Sequence, residues 1–164
     1  MLKVRRASAD DLDAVRQLLH DTWHATYDAT MGVEVVNDIT SRWHSEENLS
    51  RQLGDPDGCF LVAENPDGAI VGHAGAVRRA ADVVSLARLY VLPERQGGGA
   101  GTALLQAVTD WAGQGTTIEL EVETSNTPAI DFYHKHDFSD DGQQVQCGGD
   151  PAAGQAIVMK RRVS

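Results

Sequence analysis

Lysine is almost absent from this chain, with only Lys3, Lys135 and Lys160 among 164 residues. Arginine raises the basic total to 14, but 24 acidic residues outweigh it and leave a net charge of −10. That balance repels phosphate backbones, which argues against nucleic acid as the main partner, and it favours cationic ligands. Scarce lysine, with aspartate twice as common as glutamate, is also the bias of proteins that work at high salt; an ordinary acidic protein reads the same way. Cysteine is rare too. Cys59 and Cys147 stand in unrelated contexts without a C-x-x-C pair or Cys/His ligand spacing, so neither a disulfide nor a metal site is expected. No apolar run approaches the roughly 18 residues of a membrane span. The opening MLKVRRASADD has no apolar block of the signal-peptide kind, and the expectation is a cytoplasmic protein that meets no membrane. No internal repeat or linker interrupts the chain, whose length suits a single domain over residues 1–164.

What is present is patterned, with 41% apolar residues available for a core. Leu2 to Arg5 reads as a short strand, followed by helix-start chemistry at Ser8, Asp10 and Asp11. Leu12, Val15, Leu18, Leu19, Thr22 and Trp23 then recur at helical spacing, predicting a helix that reaches about Tyr27. Val35, Val36, Ile39 and Trp43, and more weakly Leu49 and Leu53, predict two further helices or one kinked one. From CFLVAE the period becomes that of strands, through AIVGHAGAV and VVSLARLYVL, predicting an antiparallel meander. Leu104, Leu105, Val108, Trp111 and Ala112 mark a helix face that Gly113 and Gly115 end. TTIELEVE alternates as a strand, Thr127 and Pro128 suit an N-cap and first turn, and AIVMKRRV closes the chain as a strand. Asp140 to Gln155 reads as a loop or hairpin. The fold class is α+β.

The most informative stretch is LYVLPERQGGGAGTALL, where glycines strip a strand-to-helix corner of side chains. The first N–H groups of a helix lack partners and carry the positive end of its dipole, so an anion can sit there if no Cβ intervenes. A tight turn that needs glycine dihedrals would leave the same run. A Walker loop is excluded because Thr102 and Ala103 follow Gly101 where lysine is required. A Rossmann turn fares little better. Glu121 sits where its ribose-binding acid would, but Leu104 holds the place of its third glycine.

QGGGAG resembles the Q/R-x-x-G-x-G/A signature of the GCN5-related N-acetyltransferases, the GNAT family. A second block, NTPAIDFYHKHDF, resembles that family's N-x-x-A-x-x-F-Y-x-K-x-G-F, with Asp137 in place of glycine, and DTWHATYDATMG is similar to the first helix of many bacterial members. The resemblance implies the acyl-CoA N-acyltransferase fold, a mixed, mostly antiparallel sheet of seven strands flanked by helices, with the fourth and fifth strands splayed. It implies that Gln96, Gly97, Gly98, Gly99, Ala100, Gly101 and Thr102 hold the pyrophosphate of acetyl-coenzyme A. Leu89 and Val91 would pair with the pantetheine amides, the Val91 N–H would face the thioester carbonyl, and Asn126 and Tyr133 would touch the coenzyme arm.

Acyl transfer to an amine needs a base for the ammonium and an acid for the leaving thiolate. Alternation in IELEVE puts Glu119, Glu121 and Glu123 on one face. LEVETSN followed by FY is similar to ribosomal-protein N-terminal acetyltransferases, which implies Glu121 as base and Tyr133 as acid. Trp23, Tyr27 and Trp43 are candidates to line the acceptor site; His73 would contact the acceptor or replace Glu121 if its ring enters the cleft. The expected function is direct transfer from acetyl-coenzyme A to a primary amine: a small amine, an amino acid or a peptide N-terminus. The protein would act as a monomer or homodimer. The alternatives are an acyl-CoA sensor without turnover and a nucleotide-binding regulatory domain.

Overall fold

In the computed structural model, which describes residues 2–164, the first apolar stripe becomes the buried side of α1 (Leu12–Met31). That helix runs a turn beyond Tyr27, and Gly32, at φ 90°, ends it. Two separate helices follow, α2 (Val33–Trp43) and α3 (Glu46–Leu53), the second capped by Ser45, whose side chain accepts from the Asn48 N–H at 3.1 Å.

The strands are β1 (Lys3–Arg6), β2 (Gly58–Glu64), β3 (Ile70–Ala80), β4 (Val83–Val91), β5 (Thr117–Glu123), β6 (Ser139–Gln146) and β7 (Gln155–Arg162). They form one sheet in the order β1-β2-β3-β4-β5-β7-β6, in which β4 and β5 are parallel and every other pair is antiparallel. The crossover from β4 to β5 is α4 (Ala100–Ala112), and α5 (Thr127–Lys135) follows β5. None of the described helices is long and apolar enough to cross a membrane. Both cysteines are free.

Side-chain alternation gives the sheet two buried faces. Val84, Leu86, Leu104, Leu105, Val108, Ile118, Leu120 and Tyr133 pack together on the α4/α5 side. Val15, Leu18, Leu19, Phe60 and Val62 pack with α1 and α3 on the other, beside a smaller cluster of Trp23, Tyr27, Val36 and Ile39. A register shift in the β3/β4 ladder leaves Ala87 unpaired between Leu86, opposite Ala76, and Arg88, opposite Gly75. This bulge resets the alternation. Leu89 and Val91 therefore join the α4 side, while Arg88 and Tyr90 turn toward α1.

One local expectation is resolved and another changes. The polar stretch after Phe138, expected as a loop or hairpin, is the hairpin: β6 pairs antiparallel with β7 across the turns of residues 147–154, although Val145 is the one aliphatic residue of β6. The cap of α5 is Asn126, not Thr127, with the Asn126 Oδ1 accepting from the Ala129 N–H at 3.3 Å.

At the exit from α5, Asp137 has φ 70°, the only positive φ at a non-glycine residue among those described. The chain keeps a left-handed exit where the resembling motif has glycine, and aspartate tolerates that region at some cost. Asp137→Gly is therefore expected to stabilise the fold by about 0.5–1 kcal/mol, read as a higher urea midpoint at unchanged m-value; a lower midpoint would show that the aspartate side chain contributes more than its backbone costs.

Candidate active site

β4 and β5 are hydrogen-bonded only at their starts, with Val83, Val84 and Ser85 opposite Thr117, Ile118 and Glu119. Beyond these pairs the strands part, and a cleft of about 1320 Å³ opens between them. N–H groups alternate along a strand. The Leu92 N–H bonds Val71 of β3 at 2.9 Å, so those of Leu89 and Val91 point the other way, into the opening. The Val91 carbonyl points there too and accepts from the Gln96 side chain at 3.2 Å.

The glycine run closes one end of this cleft. Gly97 and Gly99 have φ near 90°, and a Cβ on either would meet nothing within 4 Å. Gly99 caps α4 without any side-chain hydrogen bond, so first-turn N–H groups face the opening without a competing acceptor. A Cβ on Gly101 would lie 3.4 Å from the Phe132 ring, so this glycine also lets α5 approach. Gln96, Gly97, Gly99, Ala100, Gly101 and Thr102 all line the cleft; Gly98 does not.

Tyr133 packs among the α4-side residues with 8% of its surface exposed, and it also lines the cleft. Burial pushes its phenol well above the usual value. The three glutamates occupy the opposite face of β5 and differ in their partners. Glu119 lies 3.7 Å from Lys160, while Glu123 is buried and accepts from the Ser125 N–H and hydroxyl. Glu121 is exposed, with Oε1 accepting from the Gly148 N–H at 2.9 Å. Tyr133 and Glu121 thus belong to opposite faces of the sheet and border one cleft because the sheet is split between them.

Trp23 and Tyr27 line the α1 side of the cleft, their rings 4.7 Å apart. The Tyr27 hydroxyl accepts from Asn126 Nδ2 at 3.2 Å. With its Oδ1 on the α5 cap, Asn126 is largely committed to holding protein, although it borders the cleft. His73 requires a correction. It is wholly buried, does not line the cleft and stacks against Phe60; its Nδ1–H donates to the Leu61 carbonyl at 2.8 Å. That bond fixes the tautomer and leaves Nε2 to accept from Arg88 Nε at 3.0 Å. The ring therefore cannot meet an acceptor, and Arg88, which does line the cleft, is the residue that sequence reasoning missed. Its signal was a lone arginine between apolar residues in SLARLYV.

A family model described as the acetyltransferase (GNAT) family matches residues 12–138. Among curated relatives, the uncharacterized N-acetyltransferase YuaI of Bacillus subtilis strain 168 is 28% identical over 141 residues, covering 83% of this chain and 79% of that protein. The uncharacterized N-acetyltransferase Rv2669 of Mycobacterium tuberculosis H37Rv is 35% identical over 105 residues, 62% of this chain and 65% of its own. Among solved structures, the PaiA N-acetyltransferase of Thermoplasma acidophilum, in complex with coenzyme A, matches with a TM-score of 0.86 at 22% identity over 99% of both chains. The ribosomal-protein-S18-alanine N-acetyltransferase of Escherichia coli gives 0.75 at 21% identity over 100% of this chain and 95% of that one. At these identities structural likeness speaks for the fold alone, and it is the α+β fold that the sequence motifs implied.

The histidines beneath the site set a pH dependence. Burial pulls His44 down to about 3, with the Arg88 charge adding to the effect, and holds His73 well below the usual value for the same two reasons. Above pH 6.5 both are neutral whether folded or unfolded, and their contribution is complete. Below it the unfolded chain takes up protons that the folded one refuses, so stability falls with pH by about 1.4 kcal/mol per unit for each histidine. Urea midpoints should hold above pH 6.5 and drop from there to pH 5, and His44→Gln should flatten the slope by about half; a slope unaltered in that variant would place the effect elsewhere.

Proposed function

The chain belongs to the acetyltransferase (GNAT) family, and from that premise we propose an enzyme that transfers the acetyl group of acetyl-coenzyme A directly to a primary amine, residues 1–164 acting as one domain. One observation carries this reading: an uncapped helix N-terminus, an unpaired stretch of β4 edge and the buried Tyr133 all border the same cleft. Two free thiols suit a reducing, cytoplasmic setting.

The residues present fit the coenzyme. The main-chain N–H groups at Gly99 to Thr102 would take pyrophosphate oxygens, with Gly97 and Gly99 leaving the approach clear. Leu89 and Val91 would offer N–H and C=O groups to the pantetheine amides as an added strand does. When bound, acetyl-coenzyme A supplies an activated acetyl carbon with sulfur as the leaving group.

Glu121 takes a proton from the bound ammonium through its second carboxylate oxygen and passes it to water, freeing the nitrogen lone pair. The Leu89 N–H, farther from the glycine run than that of Val91, donates to the thioester oxygen as negative charge grows there, and the Val91 N–H is left to the pantetheine. As the N–C bond forms and the C–S bond breaks, the Tyr133 hydroxyl gives its proton to sulfur. The proton shed by the acylated nitrogen restores the phenol, so the products are an amide and a thiol. A raised phenol value keeps Tyr133 protonated at neutral pH, as an acid in this position needs.

Tyr133→Phe is expected to lower kcat by about 10²- to 10⁴-fold while acetyl-coenzyme A still binds, measured by free-thiol release and calorimetric titration; undiminished turnover would remove Tyr133 from the acid's role. In thermal-shift assays at millimolar ligand, acetyl-coenzyme A should raise Tm where NAD and ATP do not. Stabilisation by NAD alone would sink the reading in favour of a nucleotide-binding domain.

A further inference from the structure

Arg88 is a buried cation without an acid. Only 8% of its surface is exposed, and its guanidinium donates to two neutral acceptors, His73 Nε2 and Gln52 Oε1. Among the described residues no carboxylate lies within ion-pairing distance of it, although acids outnumber bases 24 to 14. Arg5 and Arg42, by contrast, each bridge two carboxylates. An uncompensated guanidinium in a low-dielectric setting is costly, and burial draws it down to about 10. The fold nevertheless makes room for it. A Cβ on Gly75 would lie 2.5 Å from Nη2, so the glycine opens the slot in which the guanidinium lies. His73, locked in one tautomer by Leu61, and Gln52 hold its orientation.

Of the five N–H groups, Nε and one on Nη1 are engaged, and Nη2 has no partner among the described residues. What remains is one N–H on Nη1 and two on Nη2, donors enough for both oxygens of a carboxylate; Arg88 borders both the cleft and a smaller cavity that Gly75 and Phe60 also line. Arg88 lines the same cleft as Val91, three residues further along β4. Across the cleft β5 presents Glu119, Glu121 and Glu123. Arg88 is the cation of the β4 wall, and on the β5 side Glu119 is paired with Lys160, which lines the cleft too, while Glu121 and Glu123 have no cationic partner among the described residues.

We propose that Arg88 receives a carboxylate of the acceptor, so that the acceptor is a free amino acid or a similar small compound bearing both an amine and a carboxylate; this rests on the acetyl-transfer reading above. The ammonium lies toward the β5 glutamates and the carboxylate toward β4, with no buried charge left unpaired. A purely cationic polyamine would instead leave Arg88 without a counter-charge and add repulsion. The overall acidity of the chain therefore says little about the acceptor, because the local charge at Arg88 has the opposite sign.

The test uses the full chain with acetyl-coenzyme A and free-thiol readout, comparing a panel of amino acids with the corresponding amines that lack the carboxylate. The best amino acid should exceed its decarboxylated partner by about 10²-fold in kcat/KM, and Arg88→Gln should collapse that ratio toward one, through the acceptor KM and with acetyl-coenzyme A affinity retained. Arg88→Lys, which keeps the charge without the fork, should give an intermediate ratio and stands in if the glutamine variant does not fold. Preference for the decarboxylated amines, or an unchanged ratio in both variants, overturns the proposal. Calorimetric titration of the same amino acids into protein saturated with coenzyme A separates this site from the reaction. Binding that is lost in Arg88→Gln upholds the site even if no amine is acetylated, whereas acetylation without carboxylate preference upholds the reaction and overturns the site. A panel in which no amino acid binds or reacts overturns it as well.

Discussion

Everything at the candidate site depends on the separation of β4 from β5. A parallel pair that stayed zipped would leave no space, and the strand backbones would satisfy one another. Here pairing stops after Ser85 and Glu119 while both strands continue, so the free edge of β4 reaches Val91 within a sheet that is otherwise paired. Helix α4 begins beside that edge, and its unpartnered N–H groups meet the same opening. The split also joins the two faces of the sheet. Tyr133 from the α4 side and Glu121 from the α1 side could not border a common volume in an intact sheet.

The bulge at Ala87 is the second constraint. Without the extra residue, strict alternation from Leu86 would place Arg88 among the apolar side chains under α4. With it, Arg88 lies over Phe60 on the α1 side, 5.5 Å from the ring centre, within reach of His73 and Gln52. His73 acquires its role by the same route. It is a neutral acceptor that orients a cation, and its burial serves that purpose because a protonated ring would repel the guanidinium.

Much of the architecture was legible from residue spacing. The 3.6-residue stripes of α1 and α4, the alternation of β5 and the β2–β3–β4 meander all follow from burying one face of each element, and the structure forms them near the expected boundaries. The glycine run could be read for its conformation, since Gly97 and Gly99 adopt dihedrals that most side chains oppose. β6 was legible only as one arm of a loop or hairpin, because an edge strand needs only a partner's backbone and SDDGQQVQ has almost no buried residue to advertise it. The cap of α5 lies one residue earlier than expected because the Asn126 Oδ1 accepts from the Ala129 N–H, asparagine being a better N-cap than threonine; its Nδ2 holds the Tyr27 hydroxyl, 99 residues away.

The sequence by itself determined most local conformations and the family, because periodicity, glycine dihedrals and two spaced motifs are properties of neighbours along the chain. It also supplied the types of chemical group on hand, including a phenol, glutamates and a glycine-cleared helix start. Only the tertiary structure decided which of these share a cleft, that His73 is sealed away from it, and that Arg88 stands there without an acid. Burial and charge pairing are set by segments distant in sequence, and a one-residue bulge is enough to send a side chain to the other face of a sheet.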